Sequence, residues 1–216
     1  MKKYHILLLP LVFYWILSVA AAQAFQVSRR YSDDGLLKTI GPNIILQGTP
    51  EQIIKLTRWL DQIWLVPKGY QTLQKISDSG HELTICHADH AILSAGRTAA
   101  PMTMDLINGV GAGVDIIFDT RIGDRGSHMV YNAQNELIEY TAVQNLYHEL
   151  AHAMHMMNGT WCYFASERQA IQEENIFRRQ LARMLGSPPT QRFRVEGMPI
   201  SQSRRVVASP QPFSWP

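Results

Sequence analysis

Residues 141–159, TAVQNLYHELAHAMHMMNG, read as a single helix carrying two histidines four positions apart. Thr141 is a capping side chain, and Gln144 stands three residues on, where a capping box wants its acceptor. Gly159 supplies the stop. Residues four apart project from one helical face, so His148 and His152 can offer two imidazoles to one cation. Neutral imidazoles suit zinc, at about 2.0–2.1 Å each. Glu149 lies about 100° further round the helix, beside such a cation without being forced to ligate it. That position suits a base that takes a proton from water and passes it to a leaving amine, which is the physical content of H-E-x-x-H. Leu150 and Ala151 between the fixed positions are apolar or small, as a helix pressed into a core requires. The competing reading is a core helix whose histidines are merely satisfied.

A catalytic zinc takes a third protein ligand and keeps a position for water. A histidine six residues beyond His152 would do, but that position is Asn158. The next helix, opened by Ser166 and ended by Gly186 and Pro188, offers Glu167, Glu173 and Glu174 instead. Glu167 heads an E-x-x-A pattern in which small Ala170 lets two helices approach. Glu174 lies one repeat of seven further on and roughly shares that face, so it is either the ligand or a carboxylate that orients a histidine.

His148-Glu149-Leu150-Ala151-His152-Ala153, then Glu167-x-x-Ala170-Ile171 and Glu174-Asn175-x-x-Arg178, resemble the NleD-like effector metallopeptidases of bacterial pathogens. Leu185-Gly186-x-Pro188-Pro189 with Arg192 extends the resemblance, which covers about 145–193. It implies an α+β, zincin-like fold, with a small mixed sheet packed on the HExxH helix and the glutamate-bearing helix following. It also implies zinc endopeptidase activity and, for some members, host signalling kinases as targets. Zn2+ would be held by His148, His152 and Glu167, with Glu149 as base, and Arg178 or Arg192 would steady the oxyanion.

Upstream, Thr49-Pro50-Glu51-Gln52 is a second capping box. Ile53, Leu56, Leu60, Ile63 and Trp64 follow at helical spacing, which predicts a helix over 50–65. A short helix over 68–78 and strands at 81–87, 114–119 and 128–131 complete the scaffold. The stretch 25–48 has extended character, and 120–137 is rich in turn residues. The strand 114–119 is expected to be the sheet edge on which an extended peptide docks. Residues 187–216 are proline-rich with little periodicity, and read as a tail lying over the domain or disordered.

Residues 1–24 carry Lys2 and Lys3, an apolar run from Ile6 to Val19, and Ala22-Gln23-Ala24, the pattern of a cleaved secretory signal. Pro10 interrupts the run, which is short of the roughly 20 apolar residues a membrane anchor needs. The organisation expected is a signal peptide at 1–24, a metallopeptidase domain at 25–186 and a tail at 187–216. Without Lys2 and Lys3 the chain carries 18 basic and 18 acidic residues, and nothing suggests a face for nucleic acid. Cys86 and Cys162 either pair, as an exported protein allows, or stay as thiols.

His81-Glu82-Leu83-Thr84-Ile85 begins like a second zinc motif but lacks the closing histidine. Cys86, His87, Asp89 and His90 are dense in donors, yet a strand sends alternate side chains to opposite faces. Gly109, Gly111 and Gly113 read as a turn. The sequence therefore points to an exported zinc-dependent endopeptidase, a secreted effector or toxin, acting on a protein or peptide with host proteins among the candidates. The destination is periplasmic, secreted or delivered to a host cell. Two rivals stay open: a non-catalytic zinc-bound module that binds a partner, and an amidase acting on a non-peptide or cell-wall substrate.

Overall fold

Two threonines open two of the helices in the same way. In the computed structural model, which describes residues 28–32, 35–87, 96–194 and 197–199, the Thr49 N–H donates to Gln52 Oε1 at 2.8 Å. The Thr141 N–H donates to Gln144 Oε1 at 3.0 Å. In both pairs the hydroxyl oxygen accepts in return from the backbone N–H three residues on, so each box is complete. Among the described residues the α-helices are α1 (Pro50–Leu65), α2 (Pro67–Asp78), α3 (Ala142–Met157) and α4 (Ser166–Met184). Gly159 turns the chain away after α3 with φ of 64°. A Cβ there would fall 2.5 Å from the backbone nitrogens of Gly109 and Val110, so only glycine fits.

The strands are β1 (Ser28–Ser32), β2 (Gly35–Ile40), β3 (Ile44–Gly48), β4 (Leu83–His87), β5 (Gly96–Ala99), β6 (Val114–Phe118), β7 (His128–Tyr131), β8 (Leu137–Tyr140) and β9 (Gly197–Pro199). Six form a mixed sheet in the order β1-β2-β3-β4-β6-β5. β1, β2 and β3 are antiparallel neighbours, β3, β4 and β6 run parallel, and β5 returns antiparallel to β6. The parallel step from β3 to β4 needs a crossover, and α1 and α2 supply it. A second sheet, β8-β7-β9, is antiparallel throughout.

Alternate residues of the central strands (Ile44, Leu46, Leu83, Ile85, Val114, Ile116 and Phe118) are buried against the helices. Trp59 of α1 meets the Phe118 ring edge-on at 5.7 Å. α3 lies at the centre, touching α1, α2, α4, β5 and β6. Its Tyr147 stacks on Phe177 of α4, with centroids 4.1 Å apart. The buried Tyr147 hydroxyl shares a 3.0 Å hydrogen bond with Thr72 of α2, which satisfies a polar group that burial would otherwise leave costly. Ala170 is fully buried where α4 approaches α3.

This α+β arrangement, a mixed sheet packed on the histidine-bearing helix, is the fold class expected. The expected strands at 81–87 and 114–119 form with slightly trimmed ends, 128–131 forms with the bounds expected, and β5 and β8 add to them. One expectation is corrected. β6 is not the edge of the sheet, because β5 pairs along its outer side from Gly96↔Phe118 to Ala99↔Asp115, and β5 takes the edge. Residues expected in a tail are also drawn in: Arg192 is buried, Phe193 N–H donates to Tyr131 O at 2.8 Å, and β9 pairs with β7. The segment 1–24, and Asp89 and His90 of the donor-rich cluster, lie outside the described residues. His87 accepts at Nδ1 from the Thr120 backbone, and its Nδ1 lies 2.8 Å from the Thr120 hydroxyl. Cys86 and Cys162 are not joined in a disulfide. No described helix is long and apolar enough to cross a membrane.

Candidate active site

Because α3 is packed on nearly every side, its polar side chains have few places to go. His148, Glu149 and His152 are buried, and all three line a cavity of about 430 Å³. Glu167, in the first turn of α4, reaches the same cavity and stays 45% exposed at its side chain. Its carboxylate oxygens lie 3.2 Å from His148 Nε2 and 3.3 Å from His152 Nε2. The two Nε2 atoms are themselves 3.2 Å apart. One ligand atom from each of the three residues falls within 4.8 Å of the others.

A second layer stands behind the first. Glu174 is fully buried, and its Oε2 accepts from His148 Nδ1 at 3.1 Å. That bond leaves Nε2 of the same ring to face the cavity. The same oxygen accepts from Arg192 Nη1 at 3.1 Å, and Oε1 accepts from Arg178 Nε at 2.6 Å. Burial pushes the Glu174 carboxyl up, but Arg178, His148 and Arg192 outweigh it and hold it at about 2. Burial likewise pushes His148 down, and the hydrogen bonds to Glu167 and Glu174 raise it to about 9. Hydrogen bonds from His148 and His152 hold Glu167 well below the usual carboxylate range. The carboxylates around the cavity together favour positive charge at the point where these residues meet.

The structure separates the remaining candidates. Glu174 touches the far nitrogen of His148 rather than the cavity. Glu173 points to α2, pairing with Lys68 and lying 3.7 Å from His155 Nε2. Arg178 is buried behind Glu174 and donates to Glu139 O and the Thr190 hydroxyl. It does not line the cavity, where it was expected to steady an oxyanion, and its guanidinium instead holds Glu174 and β8. Arg192 does line the cavity. Asn175 fixes it there, donating from Nδ2 to Arg192 O and accepting the Arg192 N–H at Oδ1, both at 2.7 Å. Arg192 Nη1 donates onward to the Tyr140 hydroxyl at 3.1 Å.

Sequence reasoning missed the cavity's other walls. Thr98 of β5 donates from its hydroxyl to Glu149 Oε2 at 2.6 Å, and that hydroxyl also lies 3.1 Å from the Glu149 carbonyl oxygen. Tyr140 of β8 is buried, which raises its hydroxyl pKa well above the ordinary value, with Glu174 adding to the effect. Asn145, Met156 and Trp161 also line the cavity. Asn145 stands three residues before His148 and Met156 four after His152, so helical spacing alone marked both as neighbours of the motif. Thr98 and Tyr140 come from strands with no such signal.

No curated protein matches the sequence. Among solved structures, the light chain of botulinum neurotoxin serotype HA is similar at 11% identity with a TM-score of 0.43, over 65% of this chain and 52% of that one. The Clostridium botulinum neurotoxin serotype F light chain is similar at 13% identity with a TM-score of 0.44, over 63% of this chain and 53% of that one. The chain thus spans about half the length of the light chains it matches. The family comparison is firmer, and takes in α1 to α3, most of α4 and the cavity residues from Gly96 to Glu167. Residues 46–180 match, well over half the sequence, and the chain belongs to the Peptidase_M91 effector protein family.

Proposed function

We propose that the protein is a zinc-dependent effector endopeptidase, with His148, His152 and Glu167 holding the metal and Glu149 acting as general base. One observation carries the reading: two imidazole nitrogens and a carboxylate converge with spacings of 3.2, 3.2 and 3.3 Å. Ligands at about 2.0–2.1 Å in a tetrahedral shell stand roughly 3.3–3.4 Å apart. Two imidazole nitrogens can share one neutral hydrogen bond, but the pair with an added carboxylate and a second carboxylate on His148 Nδ1 is better matched by one cation.

Zinc, when bound, acidifies a water and polarises the scissile carbonyl. The chain's own residues do the rest. Glu149 opens into the cavity beside the ligands and would accept the water's proton and return it to the leaving amine. Glu174 holds the His148 ring in the tautomer that presents Nε2. Arg192, braced by Glu174 and Tyr140, would steady the negative oxygen of the tetrahedral stage. β5, the edge of the sheet among the described strands, is where an extended peptide would lie. A protein substrate fits a family of peptidase effectors, and export through residues 1–24 with delivery to a host fits the same description.

Purified protein should bind close to one zinc per chain and lose it on His148→Ala or His152→Ala. Glu149→Gln should keep zinc and lose at least about a hundredfold in turnover, the usual scale of general-base catalysis. Full zinc occupancy in both histidine variants, or turnover in Glu149→Gln within a few-fold of the parent, would sink the proposal.

A further inference from the structure

β5 meets the base twice. Strand geometry puts Gly96 and Thr98 on one face, and both touch Glu149. The Thr98 hydroxyl lies 2.6 Å from Oε2. A Cβ at position 96 would fall 2.8 Å from Glu149 Cγ and 3.1 Å from Oε1. It would also crowd the Phe118 ring at 3.0 Å. Glycine at 96 therefore leaves the volume that the glutamate side chain fills, and threonine at 98 supplies the donor that ends it.

A glutamate side chain has three rotatable bonds, and nothing on α3 itself fixes the last of them. In a cavity open to solvent its carboxylate would sample several orientations, only some facing the attacking water. The geometry points to Thr98 as the positioning residue of the general base, with its hydroxyl holding Oε2 so that Oε1 is left to take the proton. The inference rests on the role proposed for Glu149. It also gives the edge strand a second role, since the strand proposed to receive peptide orients the base through an inward side chain. Misplacing a reacting group by about 1 Å can lower a rate roughly a hundredfold, so one hydroxyl can carry a large kinetic effect without touching substrate.

Thr98→Val keeps the branched shape and removes the donor, while Thr98→Ser keeps the donor. With the fluorogenic peptide that the parent cleaves best, Thr98→Val should lower kcat by about ten- to a hundredfold while KM stays within twofold. Competition with a zinc chelator should be unchanged, which a merely damaged fold would not allow. Thr98→Ser should recover most of the parent kcat. Should the valine protein fold poorly, Thr98→Ala beside Thr98→Ser makes the same comparison. A Thr98→Val kcat within twofold of the parent, a serine variant no better than valine, or a loss confined to KM would overturn the inference. Glu149→Gln run alongside separates the failures. If it turns over, the proposed function falls; if it is inert while Thr98→Val is fully active, only the positioning role falls.

Discussion

Two glutamates seven positions apart on one helix do different work, because they meet opposite nitrogens of the same imidazole. Glu167 faces Nε2 and the cavity, whereas Glu174 faces Nδ1 in the core. Glu167→Ala should therefore weaken zinc binding strongly in chelator competition. Glu174→Ala should weaken it by about 10–100-fold, the scale for a lost outer partner; the reverse order would mean the ligand is misassigned. Glu173, between them in sequence, contributes to stability instead. His155, 3.7 Å away, and the paired Lys68 ammonium outweigh partial burial and lower its pKa from 4.5 to about 2. A depressed carboxyl stabilises the fold above its unfolded value and loses that contribution as pH falls through its folded value. Glu173→Gln should thus unfold more easily than the parent at pH 6, and the gap should close between pH 4.5 and 2 in thermal melts. A gap that widens on acidification would refute this. The histidine pair and Glu149 were legible as residues because helical spacing is a local property. Thr98 was not, because its role exists only once a strand 51 positions away lies beside Glu149.

At the scale of elements, both capping boxes could be read directly, since a box is written within four residues. β5 and β8 could not. Gly96-Arg97-Thr98-Ala99 has no alternating apolar residues and a single strand former, Thr98, and pairing with β6 makes it a strand. That is also why β6 looked like an edge: its outer neighbour is silent in sequence. The contact between α3 and α4 is the element-level feature most exposed to change. Ala170 is fully buried there, one turn from Glu167, so Ala170→Leu should destabilise the fold by about 1–3 kcal/mol through overpacking. It should also lower zinc affinity, because the helix displaced is the one that carries the carboxylate. Denaturant titration and chelator competition would read the two effects. Unchanged zinc affinity with lowered stability would show that the ligand's position does not depend on this packing.

Across the whole molecule, residues 187–194 lie over the domain, one of the two alternatives that the proline-rich stretch left open. Residues 187–194 supply Thr190 to Arg178, Arg192 to Glu174 and Tyr140, and Phe193 to β7. Proline content and missing periodicity could not decide between the two, since a strap held by side chains leaves no repeating pattern. A chain ending at Gly186 should therefore be less stable than one ending at residue 200, by several hydrogen bonds at about 1 kcal/mol each. It should also lose turnover even where it still binds zinc. Equal turnover in the two chains would remove Arg192 from any catalytic account.

The Asn175 clamp has a consequence in time. The side chain of residue 175 can grip the backbone of residue 192 only after the ribosome has passed both. Until then the helix pair can gather its histidines and carboxylates, but the guanidinium is not yet in place. On the proposed function, a chain made only as far as α4 would hold its ligands and its base and still lack the group proposed to steady the reacting oxygen.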